Sequence, residues 1–186
     1  MEPNFFSNSE LMLLRRDGSV VRAIDVLKDV EFVLMYFSAH WCPPCRTFTP
    51  QLKAFYNAHH VKKKFEVVFM SMDQSEAEMM SYFRESHGDY YCLPYADAKS
   101  MSRVWGDSYK FQTIPTLLVF ENANPRRLVA HCGRDMVVRD PSASSFPWPN
   151  ADAEQPSGST IIGYVRQAVM LVGVLLFLYS IMSRFS

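Results

Sequence analysis

Apolar and polar positions change their spacing several times along the chain, and each change marks an element. In "LMLLRRDGSVVRAI" two extended runs flank Asp17-Gly18, which predicts a β-hairpin over residues 11–24. "EFVLMYFSA", residues 31–39, is almost uninterruptedly apolar, the pattern of a strand buried on both faces. From Pro43 the period becomes helical, with Phe48, Leu52 and Phe55 set to face a core, and the helix is expected to reach about Ala58. "FEVVFMSM" is the next strand, and "SEAEMMSYFRES" is a helix capped by Ser75. A shorter helix is expected over about Ala98 to Trp105, and then "TIPTLLVF" and "RRLVAHC" form two strands joined at "ENANP". The order predicts an α/β fold, a mixed β-sheet flanked by helices.

The periodicity then stops. From Asp140 to Thr160 the chain is rich in Pro, Ser, Ala and Gly, which reads as a linker. After it, Ala168 to Met182 is a run of fifteen residues without a charge. Fifteen helical residues rise only about 22 Å, short of the roughly 20 residues that a bilayer needs. Arg166 and Arg184, however, can snorkel at the two interfaces and lengthen the span. The stretch is apolar all round, so a helix lying in the membrane surface fits it poorly. Residues 161–183 are therefore expected to form a single C-terminal transmembrane helix, a tail anchor inserted after synthesis.

With 186 residues, the rest suits one globular domain. Lys and Arg together number 19, as do Asp and Glu, so the charge balance gives no reason to expect nucleic acid as a partner. The one dense basic run, Lys62-Lys63-Lys64, reads as a solvated helix end. The N-terminus lacks a basic start followed by an apolar stretch of about 7–15 residues, so no secretory signal is read there and the domain is expected to face the cytosol.

In a reducing compartment a close cysteine pair is more often catalytic or metal-binding than structural. Cys42 and Cys45 enclose Pro43 and Pro44, directly after a buried strand and at the head of a helix. They could be redox partners, half of a zinc site or two inert thiols. Zinc would need two further ligands at matching spacing, and Cys92 and Cys132 stand far apart with no such partners, which reads as two small core residues and no metal. Inert thiols would leave the strand-to-helix position unexplained. At a helix N-terminus the free N–H groups and the dipole stabilise a thiolate, lowering a pKa of about 8.5 to about 7 or below. That favours Cys42 as an exposed nucleophile and Cys45, one turn inside, as the thiol that resolves its mixed disulfide. The second signal is "TIPT", where Pro115 is either a rigid turn or part of a cis bond that would present the Ile114 backbone to an extended substrate.

The stretches "YFSAHWCPPCRTFTPQL", "FEVVFMSMDQSEAEM", "IPTLLVF" and "VVRDPSASSFPW" together resemble the tryparedoxin and nucleoredoxin branch of the thioredoxin superfamily over nearly all of residues 10–148. The resemblance implies a thioredoxin-like domain over 1–148; composition and the apolar run then leave 149–160 as a flexible linker and 161–183 as the tail anchor. The resemblance also implies a thiol-disulfide oxidoreductase without a cofactor. Such an enzyme takes electrons from trypanothione, a bis-glutathione conjugate of spermidine, or from a glutathione-like thiol, and passes them to peroxidases such as peroxiredoxins and to other disulfide-bearing proteins. By the same resemblance Cys42 is the nucleophile and Cys45 the resolving cysteine. Trp41 shields the pair, Pro43 and Pro44 shape the active helix, and Pro115 is the cis-proline. Ile114 and Arg134 contact the thiol substrate, while Arg46 and Asp73 match a charged pair beside the helix.

Two departures stand out. Tyr36 occupies the place of the buried aspartate of thioredoxins proper, as it does in the tryparedoxin branch, and so leaves proton transfer to another group. The family's "TWDE" reads "SMDQ", with Met72 in place of an aromatic and Gln74 in place of an acid, which bears on the choice of reductant. These changes keep open a second reading, a nucleoredoxin-like binding protein whose dithiol gates a partner interaction. A short span with an arginine behind it suits a thin bilayer, and the mitochondrial outer membrane is expected ahead of the endoplasmic reticulum.

Overall fold

The structure, a computed structural model, describes residues 10–123, 126–149 and 151. These fall in one compact unit, Met1–Asp152. Seven strands form one sheet: β1 (Met12–Leu14), β2 (Val20–Arg22), β3 (Phe32–Ser38), β4 (Phe65–Ser71), β5 (Tyr91–Cys92), β6 (Thr116–Glu121) and β7 (Arg127–Ala130). Their spatial order is β2-β1-β5-β4-β3-β6-β7. β3 pairs parallel to β4 and antiparallel to β6, which makes the sheet mixed, as the sequence pattern predicts.

Among the described residues five helices flank it: α1 (Ala23–Leu27), α2 (Pro43–Lys63), α3 (Glu76–Ser86), α4 (Tyr95–Tyr109) and α5 (Gly133–Arg139). Alternate residues of the central strands feed two cores. Leu34, Tyr36, Val67, Phe69 and Leu117 pack with α2, α3 and α5, while Val33, Met35, Phe37, Val68 and Leu118 pack on the other face with α1 and α4. The unbroken apolar pattern of β3 has this cause, since both of its faces are covered.

The expected elements differ from the observed ones mostly at their ends. The hairpin's second strand stops at Arg22, and α1 begins where the Ala23 N–H donates to the Leu11 carbonyl at 2.8 Å. α2 runs past Ala58 to Lys63, ending on Lys64 in the left-handed region with φ 48°. The basic run is that helix end, with Lys64 paired to Glu31 at 2.9 Å. α4 is longer at both ends than Ala98–Trp105, and neither β5 nor α5 is expected from the spacing.

The largest correction concerns residues 140–148, which composition assigns to the linker. They are folded into the domain, and Phe146 and Trp148 are buried against Phe55 of α2. Apart from Pro149 and Ala151, the expected linker over 149–160 lies outside the described residues, as does all of the expected membrane helix over 161–183. No helix among the described residues is long and apolar enough to cross a membrane.

Candidate active site

β3 ends at Ser38 and the chain turns through Ala39, His40 and Trp41 into α2. Cys42 caps that helix from an extended backbone, and its sulfur accepts the Cys45 N–H at 3.3 Å. Pro43 and Pro44 occupy the first helical positions, where a missing N–H forgoes no helical bond. Cys42 and Cys45 are joined in a disulfide, with Cα atoms 5.2 Å apart. Expected as exposed, Cys42 is only 4% accessible in this oxidised form, against 0% for Cys45. What distinguishes it is its surroundings: its Sγ lies 3.8 Å from the Ile114 carbonyl oxygen, and the bond from Ile114 to Pro115 is cis. Two loops far apart in sequence therefore meet at one sulfur.

Trp41 is 54% exposed and its indole N–H donates to the Met72 carbonyl at 3.2 Å. The bond uses the backbone of residue 72, so the methionine found there leaves the tryptophan anchored. Ala39, Cys42 and Cys45 form a small apolar cluster against Met72 and Ile114.

Arg46 and Asp73 are not bonded to each other, contrary to the charged pair expected. They hold His40 from two sides: the Arg46 guanidinium donates to the His40 carbonyl at 2.7 Å, and the His40 N–H donates to the Asp73 carboxylate at 2.7 Å. Asp73 is buried and its other oxygen accepts from the Ser71 hydroxyl at 2.8 Å. Burial raises its pKa, opposed by the bonds from Ser71 and His40. A surface pair would add little to stability, whereas this arrangement fixes the backbone immediately before the WCPPC motif.

Beneath the disulfide lies a buried hydroxyl network that the sequence reading does not include. The Thr49 hydroxyl donates to the Cys45 carbonyl at 2.9 Å and bonds the Tyr36 hydroxyl at 2.7 Å and that of Tyr82. The His40 ring stacks on Tyr82 with centroids 5.1 Å apart. Desolvation drives the Tyr36 pKa far up and the His87 pKa, beside it, well down, so both are neutral at physiological pH. The one signal in the sequence is Thr49 at four residues from Cys45, the spacing that puts a hydroxyl back on the preceding turn.

A cleft of about 400 Å³ opens beside Trp41, Met72 and Ile114, with α4 as its far wall. Arg134 is not among its lining residues; its guanidinium lies 3.7 Å from Asp135. The turn of α5 before it does approach the site, because a Cβ on Gly133 would come within 2.7 Å of the Leu117 carbonyl, two residues past Pro115. Gln74 is exposed, and its N–H donates to Glu78 of α3 at 3.1 Å. Cys92 and Cys132 are buried and take no part in the disulfide. Among the described residues no group of histidine, cysteine, aspartate or glutamate is placed to hold a metal ion.

Residues 29–125 match the family described as Thioredoxin-like. The chain is 41% identical to tryparedoxin of Trypanosoma brucei brucei over 138 residues, which cover 74% of this chain and 91% of that protein. It is 37% identical to nucleoredoxin of Danio rerio over 119 residues, 63% of this chain but only 27% of that longer protein. Tryparedoxin II from C. fasciculata superposes with a TM-score of 0.71 at 37% identity, covering 81% of this chain and 95% of that one. A structure of tryparedoxin II complexed with glutathionylspermidine gives 0.69 at 38% identity, covering 78% and 96%. The chain thus belongs to the thioredoxin-like family, in its tryparedoxin and nucleoredoxin branch, and is a dithiol oxidoreductase whose redox centre is the pair Cys42 and Cys45.

Proposed function

We propose that this enzyme carries electrons from trypanothione, or a similar glutathione-based thiol, to disulfide-bearing proteins, including peroxidases, at a membrane surface. The observation that carries the reading is the Cys42 sulfur at the head of α2, 3.8 Å from the Ile114 carbonyl. A substrate lying along residue 114 has its own sulfur brought to Cys42. The relative solved with glutathionylspermidine supports a thiol of that class.

A thiolate of the reductant attacks the Cys42 sulfur, and the bond to Cys45 breaks and leaves a thiolate that takes up a proton. A second thiolate, trypanothione's own or that of a second molecule of a monothiol, then attacks the reductant's sulfur in the mixed disulfide, which leaves as a disulfide and releases Cys42 as a thiolate. Two electrons have entered the protein. They leave when Cys42 attacks a client disulfide and Cys45 resolves the new mixed disulfide. Trp41 and Ile114 line the path to the sulfur, Pro115 shapes the loop, and Arg46 with Asp73 positions the motif through His40. Arg134 serves the reductant at the edge of this region. Catalytic amounts of the protein should couple trypanothione oxidation to reduction of a disulfide-bearing protein; stoichiometric exchange without turnover would instead favour the gated-binding reading.

The membrane part of the proposal rests on the uncharged run from Ala168 to Met182 between Arg166 and Arg184. We assign residues 1–148 to the catalytic domain, 149–160 to a tether and 161–183 to an anchor that leaves the domain on the cytosolic side, with the mitochondrial outer membrane ahead of the endoplasmic reticulum. Helical backbone satisfies its own polar groups in hydrocarbon, so an apolar run of this kind is able to insert. Alkaline carbonate should leave the full chain in the membrane pellet, and removal of residues 161–186 should release it with its rate on small disulfides unchanged. Extraction of the full chain would overturn the anchor.

A further inference from the structure

The wall of the cleft opposite Trp41 and Met72 is the only part of it that carries charge. Among its lining residues the charged ones are Arg103 and Asp107, both exposed on α4 and four residues apart, with Gly106 between them. Neither forms an ion pair or side-chain hydrogen bond among the described residues, although an arginine and an aspartate at this spacing are able to pair along a helix. The facing wall is lined by Met72; the carboxylate next to it, Asp73, is buried and already accepts from His40 and Ser71, and Gln74 is neutral.

Gly106 lies on that wall. Glycine within a helix costs about 1 kcal/mol relative to alanine. A Cβ here would meet the Phe111 carbonyl at 3.4 Å, a tight but tolerable approach, so packing alone does not demand glycine. Because Gly106 lines the cleft, a side chain there would narrow it.

We infer that Arg103 and Asp107 are the residues that select the reductant by charge, Asp107 taking the ammonium of a polyamine-conjugated thiol and Arg103 a carboxylate of its glutathionyl part. This rests on the thiol class proposed above and adds the residues that read it. The chemistry matches: glutathione carries a free glycine carboxylate where glutathionylspermidine carries a cationic amine, so a carboxylate on the wall separates the two. Selection is thereby moved from the Met72 and Gln74 side, where the Asp73 carboxylate is buried and engaged by His40 and Ser71, to the α4 side. Arg103 and Asp107 act on binding only and touch neither sulfur in the described structure.

The test is the reduction of the full-length protein by glutathione, glutathionylspermidine and dithiothreitol, at low salt and at 0.5 M salt, in the wild type and three variants. Asp107→Asn should weaken half-saturation by glutathionylspermidine about three- to fivefold, the range of an exposed ion pair. It should leave dithiothreitol unchanged and not weaken glutathione. Arg103→Gln should weaken both glutathionyl thiols. Each effect should shrink at high salt, where screening acts within a few ångströms. Gly106→Leu, which suits a helix, should impair both large thiols and spare dithiothreitol. Equal use of glutathione and glutathionylspermidine by the wild type, or an Asp107→Asn effect that extends to dithiothreitol, would overturn the inference. A wild type reduced by dithiothreitol and by neither glutathionyl thiol would instead overturn the proposed reductant, and the inference with it.

Discussion

Cys42→Ser should abolish turnover, by about a thousandfold or more, while Cys45→Ser should stop the cycle at a mixed disulfide between Cys42 and the client. The loss in Cys42→Ser is chemical and not a failure to fold, because serine is itself a strongly preferred N-cap and its hydroxyl accepts the bond that the residue 45 N–H now gives to sulfur. Only the sulfur beside the Ile114 carbonyl meets an approaching client, and Cys45 is sealed beneath it at 0% exposure. Exchange must therefore start at Cys42 and be resolved by Cys45. Mass spectrometry of the Cys45→Ser protein incubated with a disulfide-bearing client should find the adduct on Cys42. Alkylation of the reduced wild type at pH 7 supplies the independent check: Cys42 should react well ahead of Cys45, and equal rates would refute the assignment.

The sheet and its longer helices were open to reading because their residues face one environment along their length. β3 is apolar throughout since both faces are covered, and Phe48, Leu52 and Phe55 recur on the buried side of α2. The dithiol was legible for a related reason, as the motif's own spacing places it at the strand-to-helix junction. What escaped depends on contacts between distant segments. β5 has two residues and exists through pairing with β4 and β1. The hold of Arg46 and Asp73 on His40 is invisible to charge pattern, which suggests a pair and cannot show a backbone group between the partners. Arg103 and Asp107 look like any solvated helix face until the cleft appears beside them.

The misread linker has the clearest cause, and it carries the last prediction. Serines and prolines after Asp140 have the composition of a tether, yet three of the serines converge on a single carboxylate. One Asp140 oxygen accepts from the Ser142 hydroxyl at 3.2 Å and from the Ser144 N–H and hydroxyl at 2.9 and 2.8 Å. The other accepts from the Ser145 N–H and hydroxyl at 2.9 and 3.1 Å and from the Trp148 indole at 3.0 Å. The loop so gathered holds Ala143 and Trp148 in the left-handed region, at φ 53° and 65°, and seats Trp148 on Phe55. Asp140→Asn replaces one acceptor by a donor that faces donors, and the cost should be about 2–4 kcal/mol, or roughly 5–15 °C in Tm for a domain of this size. Burial alone would raise the Asp140 pKa, but the bonds from Trp148, Ser145 and Ser144 outweigh it and hold the group far below the usual carboxylate range. The folded state consequently binds fewer protons than the unfolded chain, whose aspartates titrate near about 3.9. Its contribution is complete above that pH and is lost as pH falls through and below it. Denaturant titrations of the protein lacking residues 161–186 at pH 7 and pH 3 should show the wild-type sequence losing more stability on acidification than Asp140→Asn, so that the gap between them narrows at pH 3. A variant that melts within a degree or two of the wild type at pH 7, or that loses as much on acidification, would mean that the carboxylate does not hold this loop on the domain.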